Sequence, residues 1–546
     1  MLLFRISLPD GSQGYSNFEI SNMSFLKKNI YINPIYLLYT FNLIIILGIV
    51  FGFLPRETIT GSAFLIFFYL FLMKLEDGIL FYLMTIPLFV ALPVSRGFDS
   101  LNIWRIAILI LFIRYLTQQF PLKIDFWKKL PKKIWLHLNN NKLELWAVLY
   151  FVLALISVLV ASDKGAAIKR LFYVGQMMLV YPLVIHVLRK NNLTNRLTKY
   201  LLASSLFIFI AGFFQLIFSY FTSLGHFWEW WTWRVAQTFY GTDLANIVSG
   251  ANTWFSYSPG RSPRLRLFST MTDSHSFALY LVLATPILLW FMVSRYLKNK
   301  KVDAILILQG IIFCLMQFFV ALSGTRGIWL SVAAPIAIAI YFIIKKEGRN
   351  IAKIALIALS SFIIMLLVSS LFLSISQFNA KDKTDNTLTL KRLKSIFDIE
   401  ETSNQGRLFI WKKSVESIIK RPFLGVGIGN FPVVLEQDVL LQKAGSTAHN
   451  VYLNSGVEMG ILGLMLNVLI FYEILKRCYL FFKKKNTDSH SLLVAFLGFY
   501  FLWVFIYSFF DIAIFDARVM MFFAAEVGII FSLPILEKKK KTTQLS

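Results

Sequence analysis

Apolar runs long enough to cross a bilayer dominate this chain from about residue 35 onward. A segment of roughly 17–25 apolar residues spans the hydrocarbon as a helix, because only a helix satisfies its own backbone hydrogen bonds there. Such runs fall near residues 35–54, 60–74, 78–94, 101–117, 144–162, 168–188 and 199–222. Further runs fall near 276–295, 303–322, 327–345, 353–374, 450–480, 491–511 and 517–536. The expected fold is all-α and polytopic, with about 14 transmembrane helices, or about 12 if the crowded 60–117 region holds fewer.

Composition agrees. The chain is 57% hydrophobic and only 15% charged, with a mean hydropathy of +0.65, whereas soluble domains carry about 25% charged residues. Cys314 and Cys478 lack a CxxC spacing, which excludes a disulfide framework and a thiolate zinc site. The formal net charge of +26 would suggest nucleic acid in a soluble protein. Here the basic residues gather in short loops between apolar runs, where they set topology, and no nucleic-acid motif accompanies them. The first 34 residues lack a short apolar core followed by a cleavage site, so a cleaved signal peptide is not expected.

Basic clusters at 128–135, 189–199, 295–301, 345–349, 483–485 and 538–541 fall on one side if both termini are cytoplasmic, as the positive-inside rule requires. The expected layout is then a cytoplasmic tail at 1–34 and eleven membrane helices over 35–374, with an outer loop at 223–275. A long extracytoplasmic loop carrying short helices follows at 375–448, then three helices over 449–536 and a basic cytoplasmic tail at 537–546. Long loops translocate largely regardless of charge, so the lysines of the second loop do not oppose this layout. The tryptophan-rich stretch 226–241 is expected to lie flat at the interface, with a sugar-stacking platform as the sharper reading.

Three arginines stand near the outer face: Arg266 before a helix, Arg326 in the short turn "LSGTRGIWL", and Arg407 opening "GRLFIWKKSVESIIKRPFLGVGIGNF". In the last stretch Leu408, Trp411, Val415 and Ile418 describe an amphipathic helix over 406–420, ended by Pro422 and Gly425, Gly427 and Gly429. That glycine run has no preceding strand and no Gly-Lys-Ser/Thr, so it is not a phosphate-binding loop of the nucleotide type. Arginine presents a planar fork of donors suited to phosphate oxygens. The plainer role is snorkelling to lipid headgroups; Arg326 fits it least, lying against the positive-inside bias in a turn with little solvated space.

His449 stands where the second loop re-enters the membrane, with Ser446 or Thr447 as the expected helix cap and His449 in the first turn. The positive end of the helix dipole favours neutral imidazole there, the form that accepts a proton. Gly456 and Gly460 make a small-xxx-small pair for close helix packing. Glu458 between them is an ionisable group at membrane depth and a functional candidate by default, though it turns away from His449. His226, His275 and His449 are scattered, and no metal-binding motif or cofactor signature accompanies them.

The segments "RLFSTMTDSHSFALYL" (266–281), "ALSGTRGIWLSV" (321–332), "GRLFIWKKSVESIIKRPFLGVGIGNF" (406–431) and "AHNVYLNSGVEMGILG" (448–463) together resemble the O-antigen ligase and O-antigen polymerase superfamily. The resemblance covers roughly 260 to 470 and rests on the order of its motifs; the N-terminal half shares only its membrane helices. It implies a metal-independent, inverting glycosyltransferase facing away from the cytoplasm. Its donor would be a glycan on polyprenyl (undecaprenyl) diphosphate and its acceptor a sugar hydroxyl, as in ligation to lipid A-core. By the same resemblance His449 is the catalytic base, and Arg266, Arg326 and Arg407 bind the donor diphosphate. Asn450, Glu458 and His275 are candidate supporting residues. Where the family often has Asp/Asn-Pro-Asn, this chain reads Asp273-Ser274-His275, which leaves His275 as a second base. A polymerase that lengthens the lipid-linked glycan is the alternative within the superfamily. A lipid-linked sugar flippase would instead show broken helices in matching halves around a midplane site.

Overall fold

A computed structural model describes residues 33–94, 101–119, 137–190, 193–250, 253–256, 264–376, 402–435, 447–483 and 489–543. Most of the expected tail at 1–34, much of the expected loop at 375–448, the basic cluster at 128–135 and Ser446 lie outside the described residues.

The described chain is mostly helical, and nine of its helices are long and apolar enough to cross a membrane. Two shorter apolar helices, Pro34–Val50 and Thr58–Leu72, precede them. Among the described residues the departures from an all-α fold are a ladder of two residues per strand, pairing Phe255 with Leu265 and Ser256 with Arg264, and an isolated bridge between Ala91 and Asn102. Ser274–Asn299 is the central helix: 83% of its apolar window is buried, against 28% for Lys142–Val160, which therefore turns most of its surface outward. The central helix packs on Ala304–Leu322, Ser489–Tyr507 and Thr194–Phe221. A second group joins Val451–Phe482 to Lys142–Ser157 and Ala517–Thr543 to Val180–Lys190. Large aliphatic and aromatic side chains left on the outside, such as Phe64, Phe68 and Leu72, are what a lipid-facing surface requires.

The tryptophan-rich stretch folds as consecutive short helices, Leu224–Trp230, Trp231–Ala236 with π geometry, and Gln237–Tyr240. Phe227 and Trp231 are buried and stacked on one another, while Trp228 and Trp233 remain exposed. The indole N–H of Trp231 donates to the Ser269 carbonyl (3.3 Å), which fastens the stretch beneath the segment carrying Arg266.

Candidate functional site

The helix Val451–Phe482 opens about two turns below its start. Met459 (φ −133°, ψ 15°) and Gly460 (φ 71°, ψ −174°) leave helical geometry, which frees backbone groups that a buried helix must satisfy elsewhere. The segment from Pro422 to Gly427 supplies the partners. Val426 N–H donates to the Val457 carbonyl (2.9 Å), Gly427 N–H to that of Glu458 (3.0 Å), and Ile461 N–H to that of Pro422 (2.8 Å). The approach tolerates no side chain: a Cβ on Gly425 would stand 2.1 Å from the Val457 oxygen, and one on Gly460 2.3 Å from the Pro422 oxygen. Gly460 therefore serves an opened turn and a docked loop, not the helix–helix contact expected of a small-xxx-small pair. Gly456 packs against Ile418 of the preceding helix.

That preceding helix is Thr402–Lys420. Of the expected apolar stripe, Ile418 is buried, whereas Leu408 and Val415 are exposed. The inward face is instead Arg407, Trp411, Ser414 and Ile418, at the four-three-four spacing of one helix side. Trp411 fixes what lies below it, because its indole N–H donates to the Ala448 carbonyl at 3.0 Å. Ala448 N–H in turn donates to Asn454 Oδ1 at 3.3 Å.

His449 is thus held from both sides. The helix cap is Asn450, whose side chain accepts from the N–H groups of Tyr452 (2.9 Å) and Leu453 (3.0 Å). This corrects the expectation of a Ser446 or Thr447 cap; Thr447 Oγ1 instead accepts from His449 N–H at 3.3 Å. His449 precedes the helix and sits at φ 47°. A left-handed backbone costs a non-glycine residue about 1–3 kcal/mol, and the fixed neighbours Ala448 and Asn450 impose it. The result is a ring 40% exposed, above a buried floor.

The floor is Asp511, between the helices Ser489–Tyr507 and Ala517–Thr543 and 8% exposed. Its Oδ2 lies 3.6 Å from His449 Nδ1 and 3.4 Å from His275 Nδ1. Its Oδ1 accepts from Ala513 N–H at 2.9 Å. Burial by itself pushes the Asp511 carboxyl up, but His275, then His449 and Arg407, outweigh it and hold the carboxyl below the usual carboxylate range. Asp511 is therefore an anion set to orient an imidazole and to stabilise it once protonated.

His275 is the more enclosed ring, only 15% exposed. Its Nδ1 also meets the Tyr507 hydroxyl (2.9 Å), and its Nε2 faces Arg266 Nη2 (3.5 Å). Arg266 grips the turn before Arg326: its Nε donates to the Ser323 carbonyl at 2.9 Å, and its Nη2 reaches the Gly324 carbonyl (3.4 Å) and Thr325 Oγ1 (3.5 Å). Much of its donor capacity is thereby committed to the turn. Arg326 opens the helix Arg326–Ser331, half-buried, and Gly327 beside it packs against Tyr507 and Phe510. Arg407 is half-buried and acts on the charges of Asp511 and His275. The structure thus gathers His449, His275, Arg266, Arg326 and Arg407 around the 507–511 segment, from stretches far apart in sequence. Glu458 is not among them: its carboxylate is buried against the Gly429 backbone and Asn454, on the side of Arg170.

Asp511 and Tyr507 escape a reading by motif. The signal was there: "YSFFDIAIFDARV" puts a carboxylate at the end of an apolar run, where an ionisable residue needs a reason. Topology also placed it at the level of His449.

With this geometry in place the chain is defined as a polytopic membrane protein with a histidine–carboxylate site ringed by arginines. The O-antigen ligase family model matches residues 310–468, which supports the resemblance carried by the motifs inside that stretch. Arg326, Arg407, His449, Asn450 and Glu458 lie inside the match; Arg266, His275 and Asp511 lie outside it. No curated protein matches the chain.

Proposed function

We propose that the protein is a metal-independent, inverting glycosyltransferase that moves a glycan from polyprenyl diphosphate to an acceptor sugar hydroxyl on the outer face of the plasma membrane. About 14 helices with both termini cytoplasmic would put the His449 end of the bundle outside. One observation carries the reading: an accessible imidazole, His449, stands 3.6 Å from the buried Asp511 anion, with Arg266 against His275 and Arg407 acting on the same charges.

The chemistry follows from those groups. The free imidazole nitrogen of His449 takes the proton of the acceptor hydroxyl as its oxygen attacks the anomeric carbon. The bond from that carbon to the diphosphate oxygen breaks on the opposite side, which inverts the centre, and polyprenyl diphosphate leaves with the electron pair. Asp511 stabilises the imidazolium formed in this step. The arginines compensate the charge growing on the diphosphate in a partly dry site, where fixed charges are worth most. Arg407, whose charge acts on Asp511 and His275, suits this task best, because Arg266 also grips the Ser323–Thr325 turn.

Ligase and polymerase differ in the acceptor, lipid A-core in one case and a second lipid-linked glycan in the other. The deciding experiment reconstitutes the purified protein with polyprenyl-diphosphate glycan and offers each acceptor separately. Capped lipid A-core supports ligation and longer lipid-linked chains support polymerisation. No transfer to either, with donor carried across the vesicle instead, would overturn the enzymatic reading in favour of a flippase.

A further inference from the structure

Two further arginines stand beyond the 511–516 turn, outside the motifs and outside the histidine–carboxylate site. Arg105 lies in the first turn of Ile103–Gln119 and Arg170 in the second turn of Lys164–Met178, both half-buried. They stack on the same ring. Their guanidinium carbons lie 5.4 Å and 5.6 Å from the Tyr173 centroid, and so at most about 11 Å from each other. Arg105 also lies over Trp104 (5.5 Å) and Arg170 over Phe515 (5.2 Å).

The arrangement is held from several sides. Arg170 and Tyr173 are one helical turn apart, and Trp104 meets Tyr173 edge-on at 5.8 Å, which brings the helix of Arg105 alongside. The Ala517 N–H donates to the Tyr173 hydroxyl. Gly429 of the docked loop passes over the stem of Arg170, where a Cβ would stand 3.0 Å from the Arg170 Cβ. Phe515 lies four residues past Asp511, so their Cα atoms are at most about 15 Å apart at 3.8 Å per residue, a span of a few sugar units.

Stacking uses the face of a guanidinium and leaves its in-plane N–H donors free. Among the described residues, neither side chain donates a hydrogen bond and neither has a carboxylate at ion-pair distance. The nearby acids are engaged elsewhere. Asp516 accepts from the N–H groups of Arg518 (2.9 Å) and Val519 (3.3 Å), and Glu458 is turned to the Gly429 backbone and Asn454. Two like charges so close and partly removed from water are stabilised by an anion from outside. Lys164 and Lys169, both exposed on the helix of Arg170, extend the positive surface. Cations spread in this way suit charges repeated along a chain better than a single phosphate.

We propose that Arg105 and Arg170 bind the acidic groups of a glycan, carboxylate or phosphate carried on its sugars, and that the polysaccharide this protein handles is therefore acidic. That the glycan is a substrate rests on the transferase reading above; the anion site does not.

The test uses the full-length protein in phosphatidylcholine nanodiscs, titrated with trigalacturonic acid and with maltotriose as an uncharged counterpart. Trigalacturonic acid is expected to bind, less tightly as salt is raised, and maltotriose is not. Affinity for the acid is expected to fall about tenfold or more in Arg105→Gln and in Arg170→Gln, in variants that melt as the wild type does. Arg170→Lys, which keeps the charge without the planar fork, is expected to lose less. Equal affinity in the wild type and both glutamine variants overturns the proposal. So does loss of binding when phosphatidylglycerol is added to the nanodiscs, which assigns the arginines to lipid headgroups. In transfer assays the glutamine variants are expected to raise KM for an acidic acceptor and to leave a neutral analogue little changed. Equal loss on both contradicts a site for acidic sugars. Binding of trigalacturonic acid without transfer to any acceptor sinks the transferase reading and leaves the anion site standing.

Discussion

The Nδ1 atom of His449 faces Oδ2 of Asp511 at 3.6 Å, joining the end of a long loop to the turn between the last two described helices. The carboxylate can hold the ring with Nδ1 protonated, which leaves the other nitrogen free to accept a proton. Asp511→Asn removes the charge and keeps the shape. It is expected to lower the rate of glycan transfer by about 10²–10³-fold with donor binding nearly unchanged, measured by single-turnover transfer beside a donor-binding titration. A loss confined to donor affinity would move Asp511 out of this role.

The same carboxylate gives the protein a pH signature. Its folded value is held down, so its contribution to stability is fully present above the ordinary aspartate value of about 3.9 and is lost as pH falls through the lower folded value. Melting temperature in detergent is expected to decline on the acid side more steeply in the wild type than in Asp511→Asn. Parallel acid limbs would contradict the placement.

Trp411 positions His449 through the backbone, by its bond to the Ala448 carbonyl. Trp411→Phe keeps the ring packing and leaves that carbonyl without its donor, a loss of about 1–3 kcal/mol. Transfer is expected to slow by about tenfold or more as the base moves off line, with KM for the donor little changed. Unchanged kcat would show that the indole serves packing alone.

The docked glycine loop predicts a folding defect and not a chemical one. Gly425→Ala sets a methyl group against the Val457 carbonyl at a residue with φ +63°. A destabilisation of about 1–3 kcal/mol is expected, with a lower yield of folded protein and little change in kcat for the fraction that folds. Normal melting behaviour would mean that the loop does not dock in the opened turn.

Much of this was legible before any coordinates. Apolar runs pointed to long apolar helices because hydrocarbon leaves the backbone one way to satisfy itself. Of the about 14 expected, nine among the described residues are long and apolar enough to cross a membrane. Ordered motifs pointed to His449 and the arginines. What escaped depends on contacts between distant segments. Asp511 has no motif and becomes meaningful only beside two histidines from other helices. That Arg266 also grips the Ser323–Thr325 turn is a contact between distant segments that no motif announces. Asn450 took the capping role expected of Thr447 because helix start depends on where the backbone turns, and His449 turns it by adopting a left-handed conformation. The opened turn at Gly460 was hidden for a related reason: a glycine in an apolar helix reads the same whether it receives a neighbouring helix or a loop.

The most direct test of the account replaces the base and then returns one from solution. His449→Gly in the reconstituted protein is expected to lose transfer by about 10²–10⁴-fold, and added imidazole is expected to restore part of it, with a pH dependence that follows the added base. Full activity in His449→Gly, or a loss that imidazole and its substituted relatives leave unchanged while donor and acceptor still bind, would contradict the assignment of His449 as the general base.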